Sequence, residues 1–228
     1  MDNKSLILID PLVGFCGLSG SLAKRYGERE LAEIRNTIPR ITQAAAISSR
    51  THLVKSEYFA GQFTGGNLDD ALANLCVPGA NEDCRVISEL SNVKLRSITT
   101  KCEANAFSSK EFANAVYDDM RDGIDKFVVA GFLLEHCVKV TAEKLVEFIS
   151  DGKARVVVCT DLTASRVEKY SNGVVESTKG TLKSKGVGIE SWEEGPGKNN
   201  LSFLPVPAKK SVARPGISFS DHLRSEDK

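Results

Sequence analysis

The sequence predicts an α/β fold: a three-layer α-β-α sandwich around a parallel sheet of about six strands. Two observations carry the prediction. Short apolar runs alternate along the chain with stretches of helical period, the pattern of successive βα units. At 228 residues, 41% hydrophobic and 26% charged, the chain is long enough to cover one sizeable core and has an ordinary globular composition.

The elements follow in order. Residues 6–9 read as a strand, and 27–49 as a helix bent near Pro39. A strand at 52–58 leads into a loop at 59–83, rich in Gly, Asn and Asp, with a helical turn at 68–75. Residues 96–100 form a strand, then 109–122 a helix with Ser108 or Ser109 as its N-cap. The most buried-looking strand is 126–130, followed by a helix at 135–149, a strand at 155–159, a helix at 168–185 and a last strand at 187–192. Residues 1–193 are therefore expected to form one domain. Residues 194–228, with Pro205, Pro207 and Pro215 and no helical period, read as an extended tail.

Charge and termini exclude several classes. Thirty Lys and Arg balance thirty Asp and Glu, so no basic excess points to nucleic acid. The segment before the first strand is too brief for a signal peptide, and no run of about 18 apolar residues suggests a membrane span. The six cysteines form no Cys-x-x-Cys pair and read as reduced thiols, which favours a cytoplasmic location; Cys76 and Cys84 are the one pair considered for a bridge. Gly17-Leu-Ser-Gly20 lacks dinucleotide-binding spacing, and no cofactor is expected.

Three polar residues occupy matching positions: Asp10 and Lys101 directly follow strands, and Cys137 opens the helix after the strand that ends at Gly131. Ligands of open parallel sheets bind outside the carboxyl ends of the strands, so these side chains are expected to converge. A helix start, with its unpaired N–H groups and dipole, favours thiolate over thiol at Cys137.

With these residues in hand the chain resembles the isochorismatase-like cysteine hydrolase superfamily, which includes nicotinamidases, N-carbamoylsarcosine amidases and ureidoacrylate or biuret amidohydrolases. The resemblance rests on Asp10, on Lys101 with Phe107 in Lys-Cys-Glu-Ala-Asn-Ala-Phe, on Gly131-Phe-Leu-Leu-Glu-His-Cys137-Val with Thr141-Ala142, and on Asp161-Leu-Thr-Ala-Ser165. It implies a six-stranded parallel sheet and a catalytic triad of Asp10, Lys101 and Cys137. It also implies a cis peptide between Phe132 and Leu133, which turns the Leu133 N–H toward that of Cys137 to make an oxyanion hole. It further implies a small-molecule substrate and a homo-oligomer. None of the three histidines is needed, and His136 is expected at the rim.

The departures shape the expected chemistry. Nicotinamidases carry metal-binding histidines after the second strand, whereas Lys55-Ser-Glu-Tyr-Phe-Ala-Gly-Gln-Phe63 has none, so no catalytic metal is expected. Asp10-Pro-Leu-Val-Gly-Phe15 keeps the Asp and Phe of the family pattern and loses the polar residues between them. Leu134 replaces the usual Thr. Phe15, Tyr58, Phe63, Phe107 and Leu134 are the candidates to line an apolar slot. The expected activity is metal-free amidohydrolysis of a small non-peptide C–N bond through a thioester. Vinyl-ether hydrolysis of the isochorismatase type is the alternative, and a non-catalytic scaffold is a third.

Overall fold

The computed structural model describes residues 3–192, apart from 150, 151 and 153. The expected tail at 194–228 lies outside the described residues.

Six strands, β1 (Lys4–Ile9), β2 (Thr51–Ser56), β3 (Ser97–Lys101), β4 (Lys126–Phe132), β5 (Arg155–Ala164) and β6 (Gly188–Glu190), form one sheet in the order β3-β2-β1-β4-β5-β6. Every pairing is parallel, as the sequence predicts. The helices are α1 (Val13–Cys16), α2 (Ser21–Tyr26), α3 (Ala32–Ile47), α4 (Lys110–Arg121), α5 (Lys139–Phe148), α6 (Val167–Ser171) and α7 (Val174–Ser184).

Alternation along the strands builds two cores. Leu6, Leu8, Leu53, Val128 and Ala130 face α3, meeting Ile34, Ile38, Ile41 and Ala45. Ile7, Ile9, Val54, Phe127 and Val129 face the other way, against Phe112 and Val116 of α4, Leu145 of α5 and Leu182 of α7. Both faces of the sheet are thus buried, which is why its central strands read as unbroken apolar runs.

Several boundaries differ from the sequence reading, each for a local reason. The helix expected at 27–49 is a short 3₁₀ turn, Glu28–Leu31, that leads into α3, which contains Pro39. Ser109 is the N-cap of α4, accepting from the Phe112 N–H. The strand expected to end at Cys159 continues to Ala164, because a register shift against β4 lets Thr163 pair beside Gly131. The helix expected at 168–185 is broken by Gly173, which adopts φ 75°, into α6 and α7.

β1 and β4 lie side by side where the strand order reverses, and there Gly131 (φ 105°) presses directly on β1. A Cβ at Gly131 would lie 2.0 Å from the Ile9 carbonyl oxygen, so only glycine lets the two strands approach this closely. The next residues along β1 and β4 enter the candidate site.

Candidate active site

The site is built at the carboxyl ends of β1, β2, β3 and β4. Asp10 leaves β1 in the left-handed region at φ 52°, tolerated by aspartate, and its N–H donates to the Val54 carbonyl at 2.9 Å. Its side chain is wholly buried against that of Lys101 at the end of β3, with Oδ2 2.9 Å from Nζ. Neither Asp10 oxygen receives a well-aligned hydrogen bond from the described residues, so the contact is an ion pair with acceptor capacity to spare.

Lys101 is the hub. Its ammonium donates to Ser56 Oγ at 2.5 Å, to the Glu103 carbonyl at 3.1 Å and to the Cys137 sulfur at 3.3 Å. Burial alone pushes this lysine toward neutrality, but the charges around it, Asp10 foremost, more than offset that and hold it as the ammonium.

Cys137 sits in a π-helical turn, Leu134–Val138, ahead of α5, rather than in the first turn of an α-helix. Within the turn the Leu133 carbonyl accepts from the N–H groups of His136 and Val138, passing over the Cys137 N–H between them. Phe132–Leu133 is a cis peptide bond, as the resemblance implies. Ser165, the last residue of Asp161-Leu-Thr-Ala-Ser165, donates to Glu135 and so ties the end of β5 to this turn. Asp161 at the other end accepts from the Trp192 N–H at 2.9 Å, joining β5 to the chain after β6. Thr141 receives the Ala106 N–H at 3.2 Å and binds the loop after β3 to α5.

The expectation that the position of Cys137 favours thiolate over thiol is corrected. Burial and the neighbouring Asp10 charge push its pKa up to about 11, outweighing Lys101 and a hydrogen bond from Tyr58. The resting group is a thiol. Asp10→Asn removes the opposing charge, so the alkaline midpoint of Cys137 alkylation by iodoacetamide is expected to move down from about 11. Peptide mass spectrometry separates this signal from that of Cys102, which is exposed. An unchanged midpoint at Cys137 would mean that the carboxylate charge does not act on the sulfur.

Above these groups opens a cavity of about 320 Å³. Of the expected lining residues, Phe15, Tyr58 and Phe63 are there, with Leu133 and Cys137 on the floor and His136 at the rim. Two are elsewhere. Phe107 turns away through a 3₁₀ turn to stack on Phe112 and Phe148, with centroids 5.0 and 4.9 Å apart. Leu134 points to the core on the opposite face of the sheet. The structure adds Leu22, Leu72, Leu75 and Arg166 to the lining. Arg166 is stacked 3.7 Å over Tyr26 and paired with Glu30 at 3.3 Å and Glu168 at 3.0 Å, so its charge is largely answered. Ser56 was the residue most open to discovery from sequence, being a polar end to an apolar strand and in register with Lys101.

Residues 55–63 do not fit a metal site of the nicotinamidase kind. Glu57, the carboxylate of that segment, is held by Lys55 at 2.5 Å, and Ser56 and Tyr58 turn to Lys101. Among the described residues no group of three or more His, Cys, Asp or Glu is placed to hold a metal ion. All six cysteines are free, Cys76 and Cys84 included, and no helix among the described residues is long and apolar enough to cross a membrane.

The isochorismatase-domain family model matches residues 4–183. The chain belongs to the isochorismatase family. No match to a curated protein was found. Among solved structures, this isochorismatase-family hydrolase is similar to a nicotinamidase/pyrazinamidase of Acinetobacter baumanii, with 18% identity and a TM-score of 0.64 over 84% of this chain and 97% of that one. It is also similar to PnC1 of L. infantum in complex with nicotinate, with 16% identity and a TM-score of 0.63 over 83% and 93%. N-carbamoylsarcosine amidase of Thermoplasma acidophilum matches with 17% identity and a TM-score of 0.55 over 85% and 99%. At these identities the likeness speaks for the fold.

Proposed function

We propose that this isochorismatase-family chain is a cysteine amidohydrolase that cleaves a small non-peptide amide or ureide through a thioester on Cys137, with Asp10 and Lys101 completing the triad. The observation that carries the reading is the buried Asp10–Lys101 ion pair, with the Lys101 ammonium 3.3 Å from a sulfur on the floor of a cavity.

The raised thiol pKa suits this chemistry. It expresses the cost of releasing the Cys137 proton to solvent, which would leave two buried anions beside one cation. Handing the proton to Asp10 leaves one of each sign, so transfer within the triad avoids that cost. The sulfur then attacks the carbonyl carbon, and the developing oxyanion is held by the N–H groups of Leu133 and Cys137, each contributing about 3–4 kcal/mol. As the C–N bond breaks, Asp10 returns the proton to the leaving amine. Water gives a proton to Asp10 and attacks the thioester; the tetrahedral adduct collapses, the acid departs, and the proton returns to the sulfur. The Asp10 oxygens, which have acceptor capacity free, suit both transfers.

The cavity favours a small, largely apolar and planar substrate, since Phe15, Tyr58, Phe63 and Leu133 supply most of its chemistry. The closed bond network among residues 55–63 supports catalysis without a metal at that place. The free cysteines agree with a cytoplasmic setting. A screen for ammonia release over small amides and ureides, run with and without chelator, tests the proposal. Release from at least one compound, unaffected by chelator and accompanied by a Cys137 acyl adduct on rapid quenching, is the expected result. Turnover without any adduct would overturn the thioester route.

A further inference from the structure

Tyr58 forms a wall of the cavity, T-shaped against Phe63 with centroids 4.6 Å apart, but its oxygen has a separate set of partners. We propose that Tyr58 is a catalytic residue that donates a hydrogen bond to the Cys137 sulfur, at the end of a one-way chain running from the Lys101 ammonium through Ser56. The inference rests on the cysteine-hydrolase reading and adds a fourth side chain to the three already assigned.

Direction in the chain follows from which groups can only give. An ammonium has protons and no lone pair, so Ser56 Oγ, 2.5 Å from Lys101 Nζ, must accept there. Its single proton is then free for the Tyr58 oxygen, 2.6 Å away. That phenol oxygen is already engaged as an acceptor by Ser56, with the Lys101 ammonium 3.3 Å away. Its own proton is left over, and its remaining partner among the described residues is the Cys137 sulfur at 3.7 Å. Ser56 and Tyr58 are both buried. Burial and the Asp10 charge drive ionisation of the phenol well above its ordinary range, which keeps it protonated and able to donate.

Several charged or titratable groups bear on the sulfur. Asp10 after β1 opposes the thiolate; Lys101 at the end of β3 and Tyr58 after β2 favour it. His136 of the same turn and Arg166 and Lys169 line the cavity beyond. Of these, Tyr58 can be deprived of its donor with the least change of shape. A bond from a neutral phenol strengthens as charge gathers on the acceptor, so it helps the transition toward thiolate more than the resting thiol. The phenol itself neither gains nor loses a proton.

Tyr58→Phe keeps the ring and its contact with Phe63 and deletes the donor. Alkylation of Cys137 by iodoacetamide, followed at that peptide from pH 7 to 11, is expected to slow about tenfold at pH 8, with the profile displaced upward by about one unit and the gap beginning to narrow only near pH 11. With a substrate from the ammonia screen, kcat falls and KM stays near the parent's value. A superimposable alkylation profile, or a change confined to KM, overturns the proposal and leaves Tyr58 as a wall. If Tyr58→Phe does not fold, Ser56→Ala cuts the chain one link earlier: alkylation about threefold slower supports the proposal, and an unchanged rate overturns it. Alkylation needs no turnover, so these outcomes are independent of the hydrolase reading, which fails instead if no amide is cleaved or no adduct forms.

Discussion

Cys137→Ala is expected to lower hydrolysis of any amide substrate by at least about 10⁴-fold, the scale on which loss of a covalent nucleophile acts. With the sulfur gone, water must attack the carbonyl directly, and no covalent intermediate divides the reaction into two easier steps. The backbone donors of the turn remain, so a residual rate above the uncatalysed one is expected. The fold should tolerate the change, because the sulfur is a small part of a side chain facing a cavity, and the melting temperature is expected to shift by only a few degrees. Steady-state ammonia release with matched thermal melts checks both parts. Full turnover in the alanine variant would turn the assignment to vinyl-ether cleavage, where protonation by Asp10 suffices and no thioester forms.

Lys101→Met is expected to cost about 3–5 kcal/mol of stability and to abolish turnover. Methionine fills a similar volume, but the Asp10 carboxylate, wholly buried, loses its counter-charge, while Ser56 and the Glu103 carbonyl lose a donor. That is a large part of the total for an ordinary domain, about 5–15 kcal/mol. Adding Asp10→Asn removes the stranded charge, so the double variant should regain most of the loss while staying inactive. Urea unfolding of the parent and the three variants measures this cycle. A double variant no more stable than Lys101→Met would mean that the two side chains do not depend on each other.

Much of this was legible in the sequence where the signal is local. The runs at 6–9 and 127–130 are apolar because both faces of the sheet are covered, and Ser109 announces α4 through its own hydroxyl. Asp10, Lys101 and Cys137 were found because residues at strand ends in a parallel sheet share one rim. What stayed hidden depends on geometry that spacing does not encode. The extension of β5 runs through Thr160 and Asp161, whose partners are the Glu190 carbonyl and the Trp192 N–H, about thirty residues away. Leu133 and Leu134 are identical in type, yet one meets the cavity and the other the far core. Phe107 is an apolar candidate for the pocket by sequence, but the turn capped by Asn105 carries it onto Phe112 and Phe148. The protonation state of Cys137 went the wrong way in sequence because a helix start and a lysine are visible there, whereas burial and the reach of Asp10 are not.

Gly131 has a consequence for how this molecule can change. Because no side chain fits between Gly131 and the Ile9 carbonyl, the spacing of the two strands that deliver the carboxylate and the thiol is fixed by backbone packing. The cavity walls at Phe63, Leu72 and Arg166 hang on segments outside that seam. Mutational libraries aimed at those three positions should therefore yield altered substrate preference at little expense to the reaction itself, whereas diversification at 131 should yield inactive protein.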